Sequence, residues 1–278
     1  MPHTDDASPT YDFDTATAVR RGDGGGLVAD LDQTWQVGGG ILNGGYLLSV
    51  AARAAIEESP HPHPVAVAAS YLRPTPAGEA TLEVTPGAAG RTLAHSVVTL
   101  SGSGAGPSIV VQATTATLTD DTPEYFSAPA PSIPPPDECV DLSARLQPDR
   151  SKRPGLSRHI DTRLDPATAG WTVGEPGDEP LLRAWIRFVD ERPADPVSLL
   201  TFADVLPPLG FSIGQKGWAP TVQLQVLVRG VPAPGWCLAE TRAVQIAGGW
   251  IDEDCTIWDS EGKLVAQARQ LARLARGH

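Results

Sequence analysis

Three places in the chain carry groups suited to chemistry at a carbonyl carbon. Asn43-Gly44-Gly45-Tyr46 opens a helical pattern. Asparagine caps helices well, and two glycines let a substrate approach the unpaired N–H groups of the first turn, where the helix dipole favours negative charge. A carbonyl oxygen turning into an oxyanion needs such donors; a plain cap followed by two flexible glycines accounts for the same residues. Asp204 lies in SLLTFADVLPPLGF, among Leu199, Leu200, Phe202, Val205 and Leu206. A carboxylate in that company has a raised pKa unless it is paired, which suits a general base acting on water. A capping or ion-paired aspartate is the alternative. Thr241 and Gln270 fall on strand-like runs of the same half. In LVAQARQLARL, alternation puts Gln270 on one face with Ala266 and Ala268, so its amide needs a partner there, either a core group or a bound water or substrate. His61-Pro62-His63 has no acidic or cysteine neighbour and reads as a solvated loop, so no metal or cofactor is expected. G-x-S-x-G is absent.

The elements that must hold these groups are written twice. Tyr71-Leu72-Arg73-Pro74, with Pro76 and Gly78 after it, matches Leu227-Val228-Arg229-Gly230, with Pro232 and Gly235 after it. The step from Arg73 to Arg229 is 156 residues, and from Gln112 to Gln267 it is 155 (229 − 73 and 267 − 112). Trp35 and Trp185 stand as a third pair of anchors before each half's helix. Such internal similarity points to a duplicated unit. Between the halves, 121–154 contains APAPSIPPP and QPDRSKRPG. Proline-dense chain stays extended and packs poorly, so this segment reads as a surface linker between a domain at 10–120 and another at 155–276.

Within a half the order is legible. GLVADLDQTWQV (26–37) alternates like a strand, and Gly38 to Gly40 break it. Leu47, Val50, Ala51 and Ala54 follow helical spacing from Gly45 to Glu58, with few polar residues before Glu57, so this helix is expected to be buried nearly all round. Strands follow at 65–72, 80–85, 91–100 and 108–118. One strand, a buried helix and four strands make an α+β unit in which an antiparallel sheet curls around a helix. That is the hotdog arrangement, here expected in two tandem copies.

Composition narrows the function. The chain has 278 residues, and 33 acidic against 21 basic side chains give a formal charge of −12. This argues against a nucleic-acid binder, which needs a basic surface to displace counterions. No run approaches the roughly 20 apolar residues of a membrane span. The polar, acidic start MPHTDDASPT lacks a secretory pattern, so a cytoplasmic location is expected. Cys139, Cys237 and Cys255 are far apart and read as buried thiols.

Taken in order, NGGYLLSVAARA, SYLRPTPAGEATLEV followed by GRTLA, RAWIRF, and GGWIDEDCTIWDSEGKLVAQARQLA resemble the acyl-CoA thioesterase II-like double-hotdog family in its actinobacterial branch. The resemblance covers most of the chain outside the linker. It implies hydrolysis of acyl-CoA to free acid and CoA, without metal or covalent intermediate. In that family an Asp, a Thr or Ser, and a Gln of the second hotdog hold and activate water. The resemblance places the glutamine on Gln270 and the hydroxyl on Thr241. The family aspartate follows a Thr-Ile-like pair; here Thr221-Val222 is followed by Gln223. A neutral amide orients water but does not take its proton, so Asp204 is expected to supply the base, within reach of Gln223, Thr241 or Gln270. Asn43, Gly44, Gly45 and Tyr46 are expected to face the thioester oxygen, and Arg73, Arg91 and Arg229 are candidates for the CoA phosphates. Gln223 also motivates a second possibility, a non-catalytic acyl-CoA-binding protein. A third, an enoyl-thioester hydratase or dehydratase, lacks a D-x-N-x-x-H run, and the second half has only His159 and His278. Hotdog sheets usually pair with one another, so a homo-oligomer is expected.

Overall fold

The computed structural model describes residues 10–103, 106–149 and 152–274. Its strands form one 14-stranded sheet in which every pairing is antiparallel, beside a small hairpin of Gln36–Gly38 with Ile41–Leu42. Across the first half the order is Leu27–Leu31, Gly78–Ala89, Leu93–Gly102, Ile109–Ala116 and His63–Tyr71. The second half repeats it in mirror order: Thr221–Val228, Leu264–Arg273, Trp250–Trp258, Cys237–Arg242 and Leu181–Phe188, with Ile160–Leu164 outside them. The halves join where His63–Tyr71 pairs with Thr221–Val228, in a register running from Ser70↔Gln223 to Ala66↔Leu227. Each half therefore places a strand, a helix and four more strands in the expected order, and the fold is a tandem hotdog.

The duplication is real but its step is 157 residues rather than 155 or 156. Leu72 N–H donates to Ser108 and Arg229 N–H to Val265, the same bond displaced by 157 at both ends (229 − 72 and 265 − 108). A β-bulge between Pro64 and Ala66 recurs between Thr221 and Gln223 at the same step. One residue matters here because a strand alternates faces. Arg229 is thus the counterpart of Leu72, not of Arg73. Trp185, inside Leu181–Phe188, corresponds to Val28 rather than to Trp35, which sits in a 3-10 turn (Gln33–Trp35). That turn ends the first strand at Leu31, because the Asp32 carboxylate accepts the Thr34 N–H at 2.8 Å and caps it.

The two helices differ in length, and this difference makes the site. Gly44–Glu57 has 14 residues, and Tyr46, Leu48, Val50, Ala51 and Ala52 are fully buried against the first-half sheet. Ser198–Phe202 has five. It begins with a reciprocal cap, Ser198 N–H to Asp195 Oδ1 and Asp195 N–H to Ser198 Oγ, both 2.7 Å. It cannot extend through Pro207-Pro208. The helices meet at Gly45: a Cβ there would lie 2.8 Å from the Leu200 carbonyl oxygen and 2.9 Å from Thr201 Cα. Ser49 and Thr201 hydroxyls bond across the contact at 2.8 Å.

The Pro-rich segment runs over the outer face of the second-half sheet, where Trp258 and Trp185 indoles donate to the Ala128 and Pro134 carbonyls at 2.8 Å. Val140–Asp141 then pairs with Ile160–Leu164 as an edge strand, followed by the helix Leu142–Leu146. Val140 and Leu142 pack against the core, so this part of 121–154 belongs to the second half's wall. His61 is buried with its Nε2 on the Gly90 carbonyl, and His63 opens the strand His63–Tyr71 with its Nδ1 accepting the Leu118 N–H, so the pair is part of the packed structure rather than a solvated loop. Among the described residues, no helix is long and apolar enough to cross a membrane.

Candidate active site

A five-residue helix leaves part of the second half's inner face uncovered, and a cavity of about 820 Å³ occupies the space between the halves. Ile41, Leu47, Leu72, Val205, Phe211 and Trp218 supply apolar wall. Into this wall project Asp204, Thr221, Thr241, Glu253 and Gln270. A largely apolar pocket with a few converging polar groups is the usual form of a small-molecule site.

Asp204 lies two residues beyond Phe202, the end of the short helix, rather than on it. Its carboxylate is held by the start of the long helix from the other half. Oδ2 accepts the Gly45 N–H at 2.8 Å and the Asn43 amide at 3.1 Å; Oδ1 accepts the Thr221 hydroxyl at 3.4 Å. The Asn43 amide also donates to the Asp204 carbonyl at 2.8 Å, fixing the backbone. No cation pairs with it among the described contacts. Burial pushes the carboxyl up and these donors pull it back, leaving it at about 6. It is thus ionised at neutral pH yet far more basic than an ordinary aspartate.

The same geometry redefines the helix start. The Gly45 N–H is committed to Asp204, so it holds the carboxylate rather than waiting for an oxyanion. Asn43 is a true N-cap, its Oδ1 accepting the Tyr46 N–H at 2.8 Å. Gly44 leaves room for the carboxylate, since a Cβ there would lie 2.9 Å from Asp204 Oδ2. Tyr46 does not face the cavity: it is fully buried, stacked on Trp35 at 5.2 Å, with its hydroxyl donating to Ala16 O. Sequence patterning could not separate this core ring from a substrate-facing one. Tyr71, by contrast, lines the cavity and donates to Gly44 O at 2.8 Å. Its phenol is raised well above its ordinary value by burial and by Asp204, and stays neutral.

Gln270 and Thr241 both line the cavity, Thr241 almost completely buried beside Cys255. Gln223 is on the other face of the sheet, exposed, with its amide donating to Ser70 Oγ at 3.4 Å. The bulge at Val222 explains the exchange. Thr221 pairs with Ala272 and Gln223 with Leu271, so the extra residue turns Thr221 inward and leaves Gln223 outward. Arg73 lines the mouth of the cavity and is exposed; Arg91, in a hairpin turn, and Arg229 are exposed away from it. Thr221, Tyr71 and Glu253 were not among the residues expected from sequence. Glu253 had a visible signal, because alternation in WIDEDCTIW puts it on the inner face with Ile251, Cys255 and Ile257.

Comparison with known proteins agrees with this architecture. Residues 31–119 match the family model described as the acyl-CoA thioesterase N-terminal domain, and residues 136–274 match the acyl-CoA thioesterase C-terminal domain. An uncharacterized protein of Mycobacterium tuberculosis (strain ATCC 25618 / H37Rv) is 30% identical, over 87% of this chain and 89% of its own. A solved structure from Thermobifida fusca YX, provisionally described as a thioesterase II, is 31% identical with a TM-score of 0.86, covering 96% of this chain and 99% of that one. A hot dog fold protein of unknown function from Alicyclobacillus acidocaldarius has a TM-score of 0.81 at 20% identity, covering 97% and 100%, and shares the fold. The two domain matches, in order and one to each half of the sheet, make this chain a member of the acyl-CoA thioesterase family with its tandem hotdog architecture.

Proposed function

We propose that the chain hydrolyses acyl-CoA thioesters by direct attack of water, with Asp204 as general base. The observation that carries this is the Asp204 carboxylate itself, buried at the junction of the halves, held by Gly45, Asn43 and Thr221, and raised to about 6. A carboxyl of that value is ionised at pH 7 and basic enough to help deprotonate water in the transition state. Thr221 donates at 3.4 Å, long for a hydroxyl bond, which leaves the carboxylate able to share a water. In the step envisaged, the water proton passes to Asp204 as its oxygen bonds to the thioester carbon. The tetrahedral adduct then collapses with loss of the C–S bond, and the CoA sulfur takes the proton back. Gln270 presents the neutral amide that orients the reacting atoms, Tyr71 fixes the helix start through Gly44, and the apolar wall takes the acyl chain.

Arg73, which lines the cavity mouth, supports this reading as a cation that would meet the CoA phosphates. Gln223 gave the motive for a purely binding role, and its position on the outer face removes that motive. Release of free thiol from acyl-CoA by the wild-type chain, lost in Asp204→Asn, is the test. Binding without release in the wild type would reject hydrolysis.

A further inference from the structure

A second carboxyl faces the same cavity. Glu253 stands on the inner face of Trp250–Trp258, directly opposite Gln270 in the cross-strand register. Side chains so placed have Cβ atoms about 4.5–5.5 Å apart and reach each other. The one hydrogen bond to the Glu253 side chain among the described contacts is the Leu209 N–H to Oε1, at 3.4 Å. Among the described residues, no cation pairs with it. From its own strand Asp252 adds negative charge and Cys255 adds a thiol that burial keeps protonated, up to about 12. From the segment after the short helix comes Asp204. The 3-10 turn Leu209–Ile213 offers no titratable side chain, and Cys237–Arg242 offers the Thr241 hydroxyl. On Leu264–Arg273, Arg269 points away and pairs with Asp252 and Asp254, while Arg273 stacks on Trp250.

Gln270 has two different ends, and a neighbour decides which end faces the reaction. With the Gly45 N–H occupied by Asp204, a donor for the thioester oxygen has to come from elsewhere. Two side-chain amides line the cavity: Gln36, on the small hairpin with its Oε1 accepting the Gly40 N–H, and Gln270, on the sheet face opposite Glu253. We propose that Glu253 is a positioning residue for Gln270: protonated, it donates to the Gln270 Oε1 and turns the NH₂ towards the thioester oxygen; ionised, it takes the NH₂ for itself and withdraws that donor. This rests on the hydrolytic reading for its consequence, but not for the side-chain coupling. Burial, and the charge of Asp204 nearby, push Glu253 up to about 7, so it changes state above Asp204. The working form is then ionised Asp204 beside neutral Glu253, two carboxyls driven to different roles by their surroundings.

The test compares wild type with Glu253→Gln, which keeps a donor and an acceptor but cannot titrate. The side-chain amide resonance of Gln270, assigned by its loss in Gln270→Leu, is followed by NMR from pH 5 to 9. In wild type it is expected to shift with a midpoint near pH 7, and in Glu253→Gln to lose that transition. A wild-type resonance that does not titrate, or one that titrates equally in the variant, overturns the proposal. In parallel, the ratio of Glu253→Gln to wild-type kcat is measured with an acyl-CoA substrate. It is expected to rise about tenfold between pH 6 and pH 8, because at pH 8 about one wild-type molecule in ten keeps a group of pKa 7 protonated. Parallel pH profiles would also overturn the proposal while leaving hydrolysis intact. A Gln270 amide that titrates through Glu253 in a protein that hydrolyses no acyl-CoA would uphold the coupling and reject the hydrolytic reading.

Discussion

Asp204→Asn separates chemistry from architecture. The amide is nearly the shape of the carboxylate, and its oxygen can occupy the Oδ2 position, accepting from Gly45 and Asn43. Its NH₂ then meets the Thr221 hydroxyl, which can rotate to accept. The hydrogen bonds that join the halves therefore survive, while the proton acceptor is gone. A positioned base contributes on the order of 10²–10⁴ in rate, and kcat is expected to fall by that factor with KM little changed. Stability moves the other way. The carboxyl rises from 3.8 to about 6 on folding, so between those values the folded chain holds more protons than the unfolded one. Wild-type stability therefore falls as pH rises through that window, by about 3 kcal/mol for a shift of this size. Asparagine has no such penalty. The variant is expected to lose that slope and, at pH 8, to melt no lower than wild type, with a gain of up to several degrees. Thiol release at pH 7 and thermal melts at pH 4.5, 6 and 8 read the two effects. A variant with normal turnover, or one that loses turnover only because it melts far below wild type at pH 8, would rule out Asp204 as the base.

Other substitutions probe the rest of the site. Gly45→Ala sets a methyl group against the Leu200 carbonyl and Thr201 Cα, at 2.8 and 2.9 Å; overpacking of this kind costs about 1–3 kcal/mol, read as a lower Tm with reduced activity. Thr221→Val removes a long donor to the carboxylate, worth about 1 kcal/mol, and is expected to lower kcat roughly fivefold, whereas Thr241→Val, with no bond to Asp204 among the described contacts, is expected to cost less in the same assay. Gln223→Asp changes an exposed outer-face residue, so turnover is expected to stay close to wild type; a large rise would mean that a carboxylate there reaches the reaction.

What the sequence made legible was local pattern. Gly45 to Glu58 reads as a buried helix because its apolar residues recur at helical spacing, and the structure buries them. The duplication reads from YLRP and LVRG, but residue identity cannot set the strand register. The true step follows hydrogen bonds such as Arg229 to Val265 and makes Leu72, not Arg73, the counterpart of Arg229. The bulge at Val222 is the larger loss. Strict alternation cannot reveal which of Thr221 and Gln223 turns inward, since the answer depends on an unpaired residue in the neighbouring ladder. Asp204 was visible as an acid among aliphatics, but not its partners, because Gly45 and Asn43 reach it from 159 and 161 residues away. A glycine pair at a helix start looks the same whether it will face a substrate or a carboxylate from the other half of the chain.

The most direct test of the account is a thiol-release assay of the wild-type chain across acyl-CoAs from acetyl to palmitoyl, with Asp204→Asn in parallel. Hydrolysis with Asp204 as base predicts release of one thiol per free acid formed, and kcat rising with pH through about 6 as Asp204 ionises. The variant is predicted to bind the same substrates with at least about a hundredfold lower turnover. No release from any chain length, or undiminished release by Asp204→Asn, would contradict it.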